Sequence, residues 1–588
     1  MILVTMTLTV PGSEHADTFR PVVRGLRGAV AAGGPLAVEA GMRTLRAGGN
    51  AVDAGVAATF AAAVTEFSHF GLGAEASILY YLEASDRVVA VNADGPAPML
   101  ATPERFAGQK VLPGTGILAA TVPSVVDGLL LALREDGSMS FEQVIAPAIE
   151  HADGFPVGEI LARIMAQRAG PIREMSGGAE TFLPGGKPPV AGEVFKQPAL
   201  AATLRGMVAA ERAAAGRGRK EAIDAVRAHF YRGPIAKAIG EASEKLGGLL
   251  RATDLERYQA KLETPVSATY RGWEIYKVGF WSQGPVMLQT LGILEAFDIA
   301  AMKQNSASYV HTVTEAMKLA FADRDRWYAD PSFVRVPATE LLSKEYARAR
   351  AALIDPERAS AEVRPGQPVA GAPHGRDPIA STSADAGLPP DRTPLGTTCI
   401  NVVDAAGNLW SATPSGAWLP SVIAGSTGIP LSQRMQAFSL AEGHPNRLAP
   451  GKLPRYTLTP TLARRQGERP SLAFSTPGLD VQDQTLLQVF LNIADFGLGF
   501  QEALEAPRFD TLHLEETFDQ HRIRPGELRV ESRLGAEVIE ALRKRGHIVE
   551  VLEDWGHLSA PTLVAIDRTT GVRSAAADPR RGRYANAH

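Results

Sequence analysis

A mixed α/β (α+β) chain is the fold class the sequence predicts, and three observations predict it. Apolar residues recur at helical spacing through much of the first half. Runs of β-branched and aromatic residues come in pairs joined by short polar turns. Near residue 397 the chain changes from Pro- and Gly-rich to strand-rich.

Taken in order, Pro35 to Leu45 followed by Gly48-Gly49-Asn50 reads as a helix with a glycine stop. Asp53 then opens an alanine-rich helix to about Val64, small enough in side chain to pack closely on a sheet. Ile78–Leu82 and Val88–Val91, separated by five polar or small residues, read as a hairpin. From Phe141 to Leu353 the periodicity is mainly helical. Within it His311–Trp327 places Val313, Met317, Ala320 and Phe321 on one face and is read as scaffold. Residues 355–396 are rich in Pro, Gly, Ala and Ser and read as a linker or mobile loop. Thr398–Val403 and Leu409–Thr413 flank Asp404-Ala405-Ala406-Gly407-Asn408, a second hairpin. Further strands are expected around Thr457–Thr459 and Ser471–Phe474, and helices at Gln482–Asp495 and Leu534–Arg545.

Composition narrows the function. The chain has 588 residues with 60 Lys+Arg against 64 Asp+Glu, a net charge of −4, and no basic block that would track a phosphate backbone, so no nucleic-acid partner is expected. The longest small-apolar run, Ala51–Val64, is interrupted by Asp53 and is shorter than the ~20 residues a bilayer span needs, so no membrane anchor is expected. Met1–Val10 lacks a basic leader and a small-residue cleavage site, and the single Cys399 cannot form an internal disulfide; both point to the cytoplasm. There is no His-Glu-x-x-His, no Gly-x-Ser-x-Gly and no phosphate loop, since Pro188 follows Gly186-Lys187. Gly71-x-Gly73-x-x-Ala76 has no clear strand leading into it. The 12 histidines show no ligand spacing, and neither a cofactor nor a metal is expected.

The junction at residue 397 carries the chemistry. A flexible segment ending Thr393-Pro394-Leu395-Gly396 runs directly into Thr397-Thr398 at the head of a strand. A threonine hydroxyl is a weak nucleophile unless a base activates it, and the residue's own free α-amine, with an ordinary pKa of about 7.7–8.0, is such a base. Freeing that amine means breaking the Gly396–Thr397 bond, and glycine tolerates the distorted backbone this requires. By composition alone, Thr-Thr here is β propensity.

What distinguishes the site is a resemblance. Thr397-Thr398-Cys399-Ile400-Asn401-Val402-Val403-Asp404-x-x-Gly407-Asn408 resembles the start of the small subunit in the γ-glutamyltranspeptidase family. Pro35-Leu36-Ala37, Gly48–Ala54, Phe230-Tyr231, Glu315-Ala316-x-Lys318, Ala322-Asp323-Arg324 and Glu505–Phe509 match in the same order along almost the whole chain. The resemblance implies an N-terminal-nucleophile hydrolase: a four-layer αββα sandwich of two stacked, mainly antiparallel sheets flanked by helices, and self-cleavage into a large subunit, 1–396, and a small subunit, 397–588. These two pieces of one precursor would remain together as a heterodimer.

Carried over by position, Thr397 is the nucleophile and Ser415, eighteen residues on, the hydroxyl that hydrogen-bonds it. Gly478 and Leu479 of Pro477-Gly478-Leu479 supply the oxyanion amides, with leucine where the family has glycine, which narrows the pocket or changes the turn. The substrate-reading positions depart. Asp94 stands where an arginine binds the α-carboxylate of a γ-glutamyl group, Tyr456 and Thr457 replace paired serines, and Ala417, Arg434 and Ala437 replace the groups that hold the α-amine. Arg434 and Arg455 are candidates to clamp a carboxylate or α-keto acid, with Trp418 and Tyr456 as an apolar wall; the alternative is that both arginines pair with local carboxylates or reach solvent. Cys399 reads as a small buried hydrophobe or as a lining residue. The reading that results is hydrolysis of a small acyl amide, with a short carboxylated amide as substrate class. A genuine γ-glutamyltransferase or glutathione hydrolase, and a non-catalytic or biosynthetically repurposed homologue, are the alternatives.

Overall fold

The structure is a computed structural model and describes residues 18–369, 396–518 and 520–588. The readings of Met1–Val10 and of the linker between 370 and 395 lie outside the described residues.

Two seven-stranded sheets form the centre. One runs Val23–Gly25, Arg573–Ala577, Thr562–Ile566, Leu472–Ser475, Thr461–Arg465, Trp273–Lys277, Val266–Tyr270; the other runs Tyr584–Ala587, Ala29–Ala32, Ile400–Val403, Leu409–Ser415, Glu75–Leu82, Arg87–Ala93, Lys261–Glu263. The pairings within both are antiparallel.

Side-chain alternation explains the layering. Along Ala29–Ala32, Val30 and Ala32 face helices while Ala29 and Ala31 face the opposite sheet. Likewise Tyr80 and Trp410 point to the helices, and Leu79, Tyr81 and Leu409 point between the sheets. The helix Ala51–Thr65 is buried along its whole length against the second sheet, and a Cβ at Gly55 would run into the Trp410 indole. The helices Pro285–Leu294, Ala307–Trp327 and Gln482–Ala494 cover the outer face of the first sheet. The result is the expected αββα sandwich, with both hairpins at 75–93 and 400–415 in place.

Several expectations need correction. The mainly helical 141–353 stretch also contains the strands Lys261–Glu263, Val266–Tyr270 and Trp273–Lys277; the first two are sheet edges and the third lies one strand in, and local periodicity does not signal them. Thr457–Thr459 forms no strand; the strand begins at Thr461. Asn50, not Asp53, caps the alanine-rich helix, and Asp53 closes the reciprocal half of the capping box.

The first part of the linker is anchored rather than loose. Glu315 accepts from the Ser360 amide at 3.3 Å, Lys318 donates to the Ser360 carbonyl at 3.0 Å, Asp323 accepts from the Gly366 amide at 2.6 Å and Trp327 donates to the Gly366 carbonyl at 3.0 Å. The helix Ala307–Trp327 is therefore buried on all sides. Glu315 and Lys318 of its Glu-x-x-Lys string and Asp323 of its Ala-Asp-Arg string thus hold the backbone at 360–366. His311 joins them, meeting the Asp355 carbonyl at 2.7 Å and His547 at 2.9 Å. Both oxygens of nearby Glu315 are engaged by Lys318 and Arg364.

Candidate active site

Thr397 lies three residues before the strand Ile400–Val403, and the amide of Thr398 bonds the Pro414 carbonyl at 3.0 Å, so the junction is tied to the end of the neighbouring strand Leu409–Ser415. That tie brings the side chains together. The Thr397 hydroxyl is 3.0 Å from Ser415 Oγ and 2.6 Å from the Gly396 carbonyl oxygen. Ser415 Oγ and Trp418 Nε1 donate to the same carbonyl at 3.0 and 2.6 Å. Gly396 is required by space rather than by backbone angle, because a Cβ there would overlap the His69 backbone and the Trp418 indole.

Behind the junction, Thr398 Oγ1 donates to Glu66 at 2.6 Å. Burial raises the Glu66 pKa, opposed by Arg583. Burial, with Arg583 and Arg581 nearby, pushes His69 down to about 3, so it is neutral at physiological pH. Cys399 is fully buried and accepts a bond from Thr562 Oγ1 at 3.3 Å; its thiol pKa is raised by burial, as fits the small-hydrophobe reading.

Glu75 starts the strand paired with Leu409–Ser415 and is the ladder partner of Ser415. Its carboxylate accepts from Arg434 Nε at 2.7 Å and from Ser432 Oγ at 2.9 Å. Gly416, at φ 119°, leaves room for that carboxylate, which any Cβ would strike. Arg434 is 0% exposed. Its guanidinium carbon lies 4.9 Å from the Trp418 ring centre, 5.3 Å from that of Tyr456 and 5.2 Å from that of Phe518. Both terminal nitrogens, Nη1 and Nη2, are without a hydrogen-bond partner among the described residues.

Asp94 belongs to the same charge cluster. One oxygen accepts from Ser77 at 3.1 Å and the other is unpartnered among the described residues. Burial first, then the neighbouring Glu75, raises its pKa well above the ordinary carboxylate value. Asp94 also lines a cavity of about 540 Å³ with Tyr258, Glu263, Trp281 and Phe333, to which neither Thr397 nor Arg434 contributes. Tyr456 is buried and donates to the Gly95 carbonyl at 2.7 Å. Thr457 is buried with its hydroxyl unpartnered among the described residues.

Arg455 is not the second half of a clamp. It meets Asp325 at 3.3 Å and the Arg324 carbonyl at 3.2 Å, inside a network in which Arg324 holds Asp480 at 2.6 Å. This is the local pairing that the sequence left as the alternative, realised for Arg455 and only through Nε for Arg434.

Asp480 follows the Gly478–Leu479 turn, so that network fixes the turn. Gly478 has φ 138° and Leu479 φ 57°. Leu479 therefore keeps a left-handed conformation natural to glycine, and its side chain packs on the patch of Trp418, Ala437 and Phe518. Glu75, His69 and Phe518 were not among the sequence candidates; the one signal for Glu75 is an acid heading an otherwise apolar strand.

Comparison with known proteins places the chain. The γ-glutamyltranspeptidase family pattern matches residues 37–588, and the chain belongs to that family of enzymes. It is 32% identical to the glutathione hydrolase-like YwrD proenzyme of Bacillus subtilis, covering 93% of this chain and 95% of that one. It is also 32% identical to the oxamate amidohydrolase proenzyme of Klebsiella pneumoniae, with coverage of 93% and 95%. Among solved structures it is similar to LmbA2991HD, at 37% identity, TM-score 0.90 and coverage of 97% and 100%. It is similar too to the cephalosporin acylase of Bacillus halodurans, at 30% identity, TM-score 0.84 and coverage of 98% and 99%. The αββα sandwich is that of the N-terminal-nucleophile hydrolases. Among the described residues, no helix is long and apolar enough to cross a membrane.

Proposed function

We propose that the protein is a self-processing N-terminal threonine amidohydrolase whose substrate is a small amide with a carboxylate on its acyl side. Cleavage between Gly396 and Thr397 gives a large subunit, 1–396, and a small subunit, 397–588, and frees the Thr397 α-amine. The Thr397 hydroxyl attacks the substrate carbonyl, the α-amine moves the proton to the leaving amine, and water resolves the acyl-enzyme. Ser415, at 3.0 Å, orients the nucleophile. The Gly478 and Leu479 amides hold the oxyanion.

The observation that carries the substrate class is Arg434. A guanidinium anchored by Glu75 through Nε at 2.7 Å, enclosed by aromatic rings, keeps two buried terminal nitrogens for a planar acceptor. That is the geometry of bidentate carboxylate recognition. Leu479 limits the length of the acyl group beside it. Similarity to an oxamate amidohydrolase proenzyme supports the same class. Tyr456, with its ring centre 5.3 Å from the Arg434 guanidinium carbon, and Thr457 beside it contribute to the wall; Asp94 acts through the charge cluster it shares with Glu75, and a carboxyl at 94 in place of an arginine disfavours a γ-glutamyl donor.

The test is intact-mass measurement of denatured wild type and Thr397→Ala, followed by a substrate screen. The 62.4 kDa chain should appear as pieces of about 42 and about 20 kDa in the wild type only. Release of ammonia from oxamate-like amides, with none of the glutamate that a γ-glutamyl anilide would yield, is the expected activity. Glutamate release would move the assignment to a glutathione hydrolase.

A further inference from the structure

We propose that the indole N–H of Trp418 is an oxyanion donor for cleavage of the Gly396–Thr397 bond, a role separate from that of the Gly478–Leu479 turn toward substrate. The inference rests on the self-processing reading above and assigns a catalytic residue to it.

The donors to the Gly396 carbonyl among the described residues are Thr397, Ser415 and Trp418, at 2.6, 3.0 and 2.6 Å. Neither the Gly478 nor the Leu479 amide is one of them. An indole N–H can only donate and a carbonyl oxygen can only accept, so the polarity of the shortest side-chain contact outside Thr397 is settled by chemistry. When the Thr397 hydroxyl attacks, it leaves the donor set. Trp418 and Ser415 then remain on the oxygen where negative charge develops, a two-donor hole built from side chains.

Both partners are held before reaction begins. Trp418 is 2% exposed, and its ring meets Phe518 edge-on at 5.6 Å and lies under the Arg434 guanidinium at 4.9 Å. Its carbonyl accepts from Gln433 Nε2 at 3.1 Å. Gly396 is clamped between that indole and the His69 backbone, so its carbonyl has little freedom to turn away.

The bonds balance without a further reagent except water. Thr397 Oγ bonds to the Gly396 carbonyl carbon, and the carbonyl electron pair moves to the oxygen held by Trp418 and Ser415. Collapse breaks the carbon–nitrogen bond, and the nitrogen takes the proton that Oγ gave up, leaving an ester and a free α-amine. Water adds to the same carbonyl, its charge again facing the same donors. Collapse releases the Gly396 carboxylate and returns a proton to Thr397 Oγ.

The test is the rate at which freshly translated full-length chain becomes two fragments, followed by denaturing gel and intact mass. Wild type is compared with Trp418→Phe and with a chain carrying benzothienylalanine at 418, which keeps the ring shape and deletes the N–H. Both variants are expected to cleave about a hundredfold more slowly, as for loss of one oxyanion donor, with melting temperature unchanged in the benzothienyl chain. Wild-type rates in the benzothienyl chain would overturn the proposal while leaving self-processing intact. A wild type that never cleaves would overturn the self-processing reading itself.

Discussion

Glu75 and Ser415 are ladder partners at the ends of adjacent antiparallel strands, so one strand register sets both the hydroxyl beside Thr397 and the carboxylate that holds Arg434. A slip of one residue in the strand that Glu75 heads would turn Glu75 to the opposite face while Ser415 stayed in place. Nucleophile geometry and acyl recognition are therefore coupled through backbone pairing rather than through a shared loop.

Arg434→Gln, which removes the guanidinium, should lower kcat/KM for a short carboxylated amide by about a hundredfold or more, and should destabilise the fold by about 3–5 kcal/mol because Glu75 is left buried and unpaired. The double variant Glu75→Gln/Arg434→Gln should recover most of the stability and none of the activity. Denaturant titration and steady-state kinetics on the three proteins check this. Recovery of activity in the double variant would remove Arg434 from recognition.

Gly396→Ala should leave a folded, largely uncut chain, because the added Cβ meets the backbone of His69, which cannot rotate away. Intact mass after several hours at 25 °C reads the outcome. Wild-type processing would mean that the close packing around Gly396 plays no part in cleavage.

Leu479→Gly should relieve a left-handed backbone at φ 57°, worth about 1–2 kcal/mol, while losing contacts with Trp418 and Phe518, so net stability changes little. The pocket should widen. The ratio of kcat/KM for a branched acyl amide to that for the shortest one should rise about tenfold, and an unchanged ratio would show that Leu479 does not bound the acyl site.

Asp94 has a folded-state pKa raised above its ordinary value of 3.8, by burial and then by Glu75. The folded state thus holds this proton more tightly than the unfolded one, and the group's contribution to stability falls as pH climbs from about 4 through the raised value. Asp94→Asn should match wild type near pH 4 and exceed it increasingly toward neutrality. Parallel melting temperatures for the two proteins from pH 4 to 7.5 would contradict this.

Much of the architecture was legible locally. The two hairpins, the capped alanine-rich helix and the Gly-Thr-Thr junction are set by neighbours a few residues apart, through alternation, capping and turn chemistry. Thr397 and Ser415 were reached through the family resemblance, and the hairpin between them brings their hydroxyls to 3.0 Å. Three strands between 261 and 277 were not legible, because Lys261–Glu263 and Trp273–Lys277 are held in their sheets by Arg87–Ala93 and Thr461–Arg465, far along the chain.

By itself, then, the sequence determined the family, the sandwich and the candidate nucleophile with its hydroxyl neighbour, since those depend on short-range pattern and matched strings. Only the tertiary structure decided how the charges are shared. Arg434 and Arg455 look alike in the sequence, but both terminal nitrogens of Arg455 are engaged, by Asp325 and the Arg324 carbonyl, whereas both of Arg434's are without partners among the described residues. It also showed that Glu315 and Asp323 hold the backbone at 360–366, and that Trp418 reaches the Gly396 carbonyl. The physical reason is common to all three. The worth of a buried polar group is set by the partners folding brings to it, and those partners lie tens to hundreds of residues away.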